Sequence, residues 1–131
     1  MIGGIVLTHG QISSTLIQAA QTILGEVDHV YDLSITDQSM SRIISNLEQI
    51  VSSQNWEDGI IIMVSLKGGS CWNSAVSLAR KFPLIEVVSG VNLIMLISFI
   101  SKRIRFPIKE LAEIIKEDAI RGIDRFSISN V

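Results

Sequence analysis

The sequence predicts an α/β fold, a doubly wound, mostly parallel open sheet with helices on both faces. Three observations lead there. Short apolar runs rich in β-branched residues alternate with longer stretches of helical periodicity, in the order βαβαβαβαα with a final short run. The junctions carry glycine, serine and asparagine and are short, as right-handed crossovers between neighbouring parallel strands require. Two of the runs, residues 2–7 and 60–66, are apolar almost throughout, as strands covered on both faces are.

Residues 2–7 form the first expected strand, which delivers Thr8, His9 and Gly10 to a loop at its carboxyl end. Residues 11–24 follow with Ile12, Leu16, Ala19, Ala20, Ile23 and Leu24 on one helical face, and Gly25 is placed to end the helix. In residues 26–36, Tyr31, Leu33 and Ile35 alternate with Asp32 and Ser34, the pattern of a half-buried edge strand. Asp37 or Ser39 then caps a second helix whose apolar positions are Met40, Ile43, Ile44, Leu47, Ile50 and Val51. After a turn at residues 55–59, the run 60–66 is expected as the central strand.

Lys67, Gly68, Gly69 and Ser70 make the next loop, and Ser70 is the expected N-cap of a helix with Trp72, Ala75, Val76 and Ala79 on one face, stopped by Pro83. Residues 84–88 read as a fourth strand and Ser89, Gly90, Val91 and Asn92 as its turn. The stretch 93–100 is apolar nearly all round, which predicts a deeply buried helix or one covered by a partner subunit. A last helix starts at Pro107, buries Ile108, Leu111, Ala112, Ile115 and Ala119, and ends at Gly122; residues 123–128 are expected as a final short strand.

The 131 residues suit one domain with its own core. A net charge of −2 with interspersed signs gives no electrostatic footprint for nucleic acid. Cys71 is the only cysteine, which excludes an internal disulfide and a cysteine-rich metal site and fits a reducing cytoplasm. The N-terminus lacks a basic leader region and the apolar run 91–100 is too short to cross a bilayer, so a soluble, cytoplasmic protein without direct membrane insertion is expected.

Three turns follow three expected strands and so meet at the carboxyl edge of the sheet: Thr8-His9-Gly10, the loop from Ser65 to Ser70, and the turn from Ser89 to Asn92. Gly68 and Gly69 allow backbone N–H groups to approach an anion, and Ser70 adds a hydroxyl at a helix start. Together they make a phosphate-sized cradle beside a histidine, with no metal or organic cofactor required. Each part also has a plain reading: a loop histidine is often solvated, a Gly-Gly-Ser is often only a turn, and Cys71 at a helix start reads as a small buried filler. His29 has no partner loop and reads as a surface residue, and Trp56 and Trp72 read as packing.

His9 in its Thr-His-Gly turn, Leu66 with Gly68-Gly69-Ser70 and Asn73, and Gly90-Val91-Asn92-Leu93 resemble the IIA component of the mannose-type phosphotransferase system (PTS), from residue 2 to about residue 122 and in family order and spacing. The resemblance implies a homodimeric α/β domain whose active-site histidine takes a phosphoryl group from the phosphocarrier HPr and passes it to a IIB partner. His9 matches that histidine. It also implies that residues 123–131 form a strand exchanged across the dimer, or else a tail. The second loop departs from the family pattern, which has an Asp where this chain has Ser65 and an aromatic residue where it has Lys67. That Asp is expected to hold the imidazole Nδ1–H; in the Ser-His-Asp triad, the general example of such an arrangement, loss of the analogous charge costs about 10⁴-fold.

The residues thus support a phosphocarrier in which Nε2 of His9 attacks phospho-HPr, Gly68, Gly69 and Ser70 hold phosphoryl oxygens, Ser65 and Lys67 flank the site, and Asn92 shapes its third wall. Ser65 and Lys67 equally support a second expectation: a regulatory IIA-like module that binds a partner and transfers phosphate slowly or not at all. A Ser-His hydrolase built on Ser70 is the weakest alternative, because no carboxylate is evident to orient His9.

Overall fold

The computed structural model describes residues 1–128. Four strands, β1 (Gly3–His9), β2 (Val30–Ile35), β3 (Ile60–Val64) and β4 (Ile85–Ser89), form an all-parallel sheet in the order β2-β1-β3-β4. Five helices connect or follow them: α1 (Ile12–Leu24), α2 (Met40–Ser52), α3 (Ser70–Ala79), α4 (Leu93–Lys102) and α5 (Ile108–Arg121). The expected α/β fold with helices on both faces is therefore present, and β2 is an edge strand as its alternating pattern predicts.

The pleat of the two central strands divides the core. Val6, Ile61 and Met63 face one way and pack with Ala20 of α1, Met95, Leu96 and Phe99 of α4, and Leu111 and Ile115 of α5. Ile5, Leu7, Ile60, Ile62 and Val64 face the other way onto Ile43 and Leu47 of α2 and Cys71, Ala75 and Leu78 of α3. A side chain at Gly4 has no room, since a Cβ there would stand 2.7 Å from the Phe99 ring, so α4 packs directly on the β1 backbone.

Four sequence-based expectations require correction. In α1 the inward face is Ser13 and Ala20 with Leu16 and Ile17 beside them, while Ile12, Ile23 and Leu24 are exposed; the apolar stripe is wider than the strip of helix that the sheet and α4 cover. Ser70 is the first helical residue of α3 and Gly69 is its N-cap, without a side-chain cap bond. The buried face of α3 is Cys71, Ser74, Ala75 and Leu78, with Trp72, Val76 and Ala79 only half-buried. Residues 123–128 form no strand: Ile123, Phe126 and Ile128 are 76%, 85% and 94% exposed, and among the described residues no strand pairs with them. The apolar α4 is buried largely by its own chain, through Met95, Leu96, Ser98 and Phe99, and leaves Ile94 exposed.

Among the described residues no helix is long and apolar enough to cross a membrane.

Candidate functional site

The carboxyl ends of β1, β3 and β4 lie side by side, so the three turns picked out in the sequence share one edge of the sheet. Each turn contains a glycine in the left-handed region, Gly10 at φ 61°, Gly68 at φ 86° and Gly90 at φ 74°, where a side chain would be strained. A Cβ added to any of the three would meet nothing within 4 Å, so the backbone conformation, and not crowding, calls for glycine there.

His9 is the last residue of β1 and is exposed, whereas every residue of the strand before it is buried. The turn behind it is tied down on two sides. The Gly10 amide donates to the Ile35 carbonyl at 3.0 Å, joining it to β2, and the Ser13 amide donates to Thr8 Oγ1 at 2.7 Å. The second bond satisfies a first-turn donor of α1 that its N-cap, Gln11, leaves without a side-chain acceptor.

Ser65 follows β3 directly, one step beyond the Leu7–Val64 pair of the β1–β3 register. Its Oγ is buried and has no hydrogen-bond partner among the described residues. Such a hydroxyl is costly unless something binds it. Lys67 and Gly68 beyond it are exposed and Gly69 is half-buried. Ser70 opens α3, so that the first-turn amides of this helix face the loop with their partial positive charge. Lys67 also borders a cleft of about 290 Å³ shared with Trp72, Ser89, Lys109 and Lys116.

The third turn is held by hydrogen bonds at both ends. The Val91 amide donates to the Val64 carbonyl at 3.0 Å, and Asn92 Oδ1 accepts from the Met95 amide at 2.8 Å as the N-cap of α4. Its Nδ2 donates to the Ala119 carbonyl at 3.4 Å. The Asn92 side chain is thus engaged in holding α4 and α5.

Cys71 is buried, and desolvation pushes its thiol up from the ordinary value, as a filler requires. His29 lies in a left-handed turn with its ring 5.5 Å from that of Trp56, away from the site edge. Sequence reasoning missed the polar contacts beneath His9. Ser13 Oγ donates to Asp32 and stands 2.8 Å from Ser34 Oγ; both strand residues are exposed, as their alternation predicts, and still reach the buried serine. A serine on the inward side of α1, five residues after Thr8, was the available signal.

Residues 3–116 match the family model for the PTS system fructose IIA component, EIIA-man. The chain is 33% identical over 93 residues to the PTS system sorbose-specific EIIA component of Klebsiella pneumoniae, covering 71% of this chain and 68% of that protein. It is 25% identical over 100 residues to the PTS system mannose-specific EIIAB component of Escherichia coli K12, which covers 76% of this chain but only 31% of that longer protein. Among solved structures, phosphotransferase system component EIIA from Streptococcus agalactiae superposes with a TM-score of 0.89 at 25% identity, over 98% of this chain and 100% of that one. A mannose/sorbose-specific IIA subunit from Enterococcus faecalis shares the fold with a TM-score of 0.87 at 23% identity, over 98% of this chain and 97% of that one.

Proposed function

Because this chain belongs to the mannose-type IIA family of the phosphotransferase system, we propose that it is a phosphocarrier in which His9 accepts a phosphoryl group from phospho-HPr and passes it to a IIB component. The observation that carries this reading is the position of His9: an exposed imidazole at the end of an otherwise buried central strand, on the same sheet edge as a glycine loop and the amino end of α3. Nε2 supplies its lone pair to phosphorus and an N–P bond forms. The bond from phosphorus to HPr breaks, its electron pair leaving with the donor. In the second half-reaction His9 is the leaving group and the IIB nucleophile takes the phosphoryl group.

The residues on this edge of the sheet suit a phosphoryl group by their chemistry. Amides of Gly68, Gly69 and Ser70 are available to its oxygens, Lys67 supplies a positive charge in water-exposed surroundings, and Ser65 Oγ is an unengaged acceptor for the imidazole Nδ1–H. This chemistry needs no metal or cofactor. Protein partners, HPr and IIB, are the expected visitors to this edge, in the cytoplasm, with no role for nucleic acid. The reading includes a homodimer: among the described residues no strand pairs with the outer edge of β4, and the exposed Ile123, Phe126 and Ile128 suit a strand added to the partner's β4. Residues 129–131 of that segment lie outside the described residues.

A second reading has one observation in its favour. With Ser65 in place of the family's Asp, no charge compensates an imidazole losing its lone pair to phosphorus, which suits a regulatory module that binds a partner and turns over slowly.

Incubation with phosphoenolpyruvate, enzyme I and HPr, followed by intact-mass measurement, tests the first reading. A single acid-labile phosphoryl adduct is expected, absent in His9→Ala while that variant keeps the fold and the dimer, since an exposed strand-end histidine contributes little packing. Undiminished labelling of His9→Ala removes His9 from the mechanism.

A further inference from the structure

Beneath the His9 turn, hydrogen-bonded side chains join three elements that apolar packing alone would leave free to slide. Thr8 and Ser13 are both fully buried, and Thr8 Oγ1 receives the Ser13 amide at 2.7 Å. Ser13 Oγ donates to Asp32 Oδ1 and stands 2.8 Å from Ser34 Oγ, which is itself 3.1 Å from the same carboxylate oxygen. In the β1–β2 register Asp32 is opposite Val6 and Ser34 opposite Thr8, so the chain of bonds runs along the seam between these strands, under the first turn of α1.

Packing does not call for this arrangement. An alanine at position 13 would bury as well, with no hydroxyl to desolvate. What the network adds is direction: an ionised carboxylate only accepts, so it fixes the rotors of both serines, and Ser13 in turn fixes the helix start relative to the strand that ends in His9. Asp32 belongs to an exposed position of the edge strand, so the charge is held without the cost of full burial.

We infer that Asp32 is a positioning residue for the His9 site, acting through Ser13 and Thr8 to hold the His9 turn in register with α1. The inference rests on the phosphocarrier reading. It also meets a need of this chain: Ser65 stands where the family pattern has an Asp, so that position of the loop brings no carboxylate, and the polar contacts that hold the His9 turn come from the β2 side.

The test compares wild type, Ser13→Ala, Asp32→Ala and Asp32→Asn, labelled either by HPr with enzyme I and phosphoenolpyruvate or by phosphoramidate, a donor too small to need docking. Ser13→Ala and Asp32→Ala are expected to lower the maximal labelling rate by about ten-fold with both donors, the scale of a sub-ångström misplacement, while the HPr concentration for half-maximal rate stays put. Asp32→Asn keeps the acceptor and should recover most of the rate. Amide exchange at Ser13 should quicken in the two alanine variants. Asp32 lies outside the core, so its variants decide the question even if Ser13→Ala fails to fold. Equal rates in a labelled wild type and all three variants overturn the inference and leave the phosphocarrier reading standing, and so does an Asp32→Asn rate as low as that of Asp32→Ala. A wild type labelled by neither donor removes the phosphocarrier reading, and the inference with it.

Discussion

Arg103 Nη2 lies 2.6 Å from the backbone carbonyl oxygen of Asp28. Its Nη1 donates to the carbonyls of Ile2 and His29 at 3.3 and 3.4 Å, and the guanidinium stands 5.4 Å from the centre of the Phe99 ring. One side chain from the end of α4 thereby holds the entries to β1 and β2, at the end of the sheet opposite His9. Burial lowers its pKa, an effect the nearby Asp28 charge partly offsets, and arginine stays protonated throughout. Arg103→Met keeps the stem and removes the donors, so unfolding free energy should fall by about 2–3 kcal/mol. Urea denaturation measures this, and labelling of His9 in the folded fraction should be unchanged. A loss below about 0.5 kcal/mol, the scale of a neutral surface change, contradicts the staple role.

Asp118 joins α5 to α4 by accepting from Ser98 Oγ at 2.6 Å and from Lys102, and it also pairs with Arg121. The Lys102 and Ser98 hydrogen bonds hold its carboxyl below the usual carboxylate range, against an opposing desolvation. A depressed folded pKa contributes stability that is complete above the unfolded value of about 3.9 and lost as pH falls through the folded value. Asp118→Asn should therefore cost about 1 kcal/mol at neutral pH and flatten the acid limb of the stability profile below about pH 4. Thermal melts from about pH 2.5 to 7, spanning that limb, check it; parallel profiles for the two proteins refute the assignment.

A Cβ on Gly3 would stand 2.0 Å from Trp56 Cζ3, so the indole packs against the start of β1, with the His29 and Tyr31 rings each 5.5 Å away. Gly3→Ala should cost about 1–3 kcal/mol through overpacking. Trp56→Leu in the same chain should recover part of it, giving a coupling energy above about 0.5 kcal/mol in a double-mutant cycle. Strict additivity of the two changes would show that the ring is free to move aside.

What the sequence made legible follows from periodicity. The runs around Ile5 and Ile62 are covered on both faces and so read as central strands from their composition alone, and the turns after β1, β3 and β4 follow because parallel strands bring their carboxyl ends to one edge. The inward face of α1 departs from its apolar stripe because the helix buries Ser13, a polar residue whose burial is offset by hydrogen bonding, while Ile12 and Ile23 are left exposed. The same blind spot hid Asp32: alternation marks a residue as facing away from apolar neighbours, but not as facing another polar group. Residues 123–128 read as a short apolar run after the last helix, yet a strand needs a partner edge, and among the described residues none pairs with them.

Ser65 separates the two readings of the site. Its Oγ is buried and unengaged where the family has an Asp, so a carboxylate placed there by Ser65→Asp would meet a partly desolvated position and cost stability unless it found a partner. If His9 Nδ1–H is that partner, stability is kept and phosphorylation speeds up by about ten-fold or more, equivalent to about 1.4 kcal/mol of barrier. Lys67, two residues on, competes for the new charge, so Ser65→Asp with Lys67→Phe is the cleaner restoration of the family pattern. For a working carrier, both single variants and the double variant label, the double variant fastest, and the cycle of initial rates gives the coupling between positions 65 and 67. For an adapted regulator, the wild type labels barely, whereas the double variant labels readily and loses partner binding. A wild type that already labels fast, and that Ser65→Asp slows, would show that Ser65 and Lys67 form a working site of their own, in which a neutral acceptor at Nδ1 and a cation near the phosphoryl oxygens replace the carboxylate.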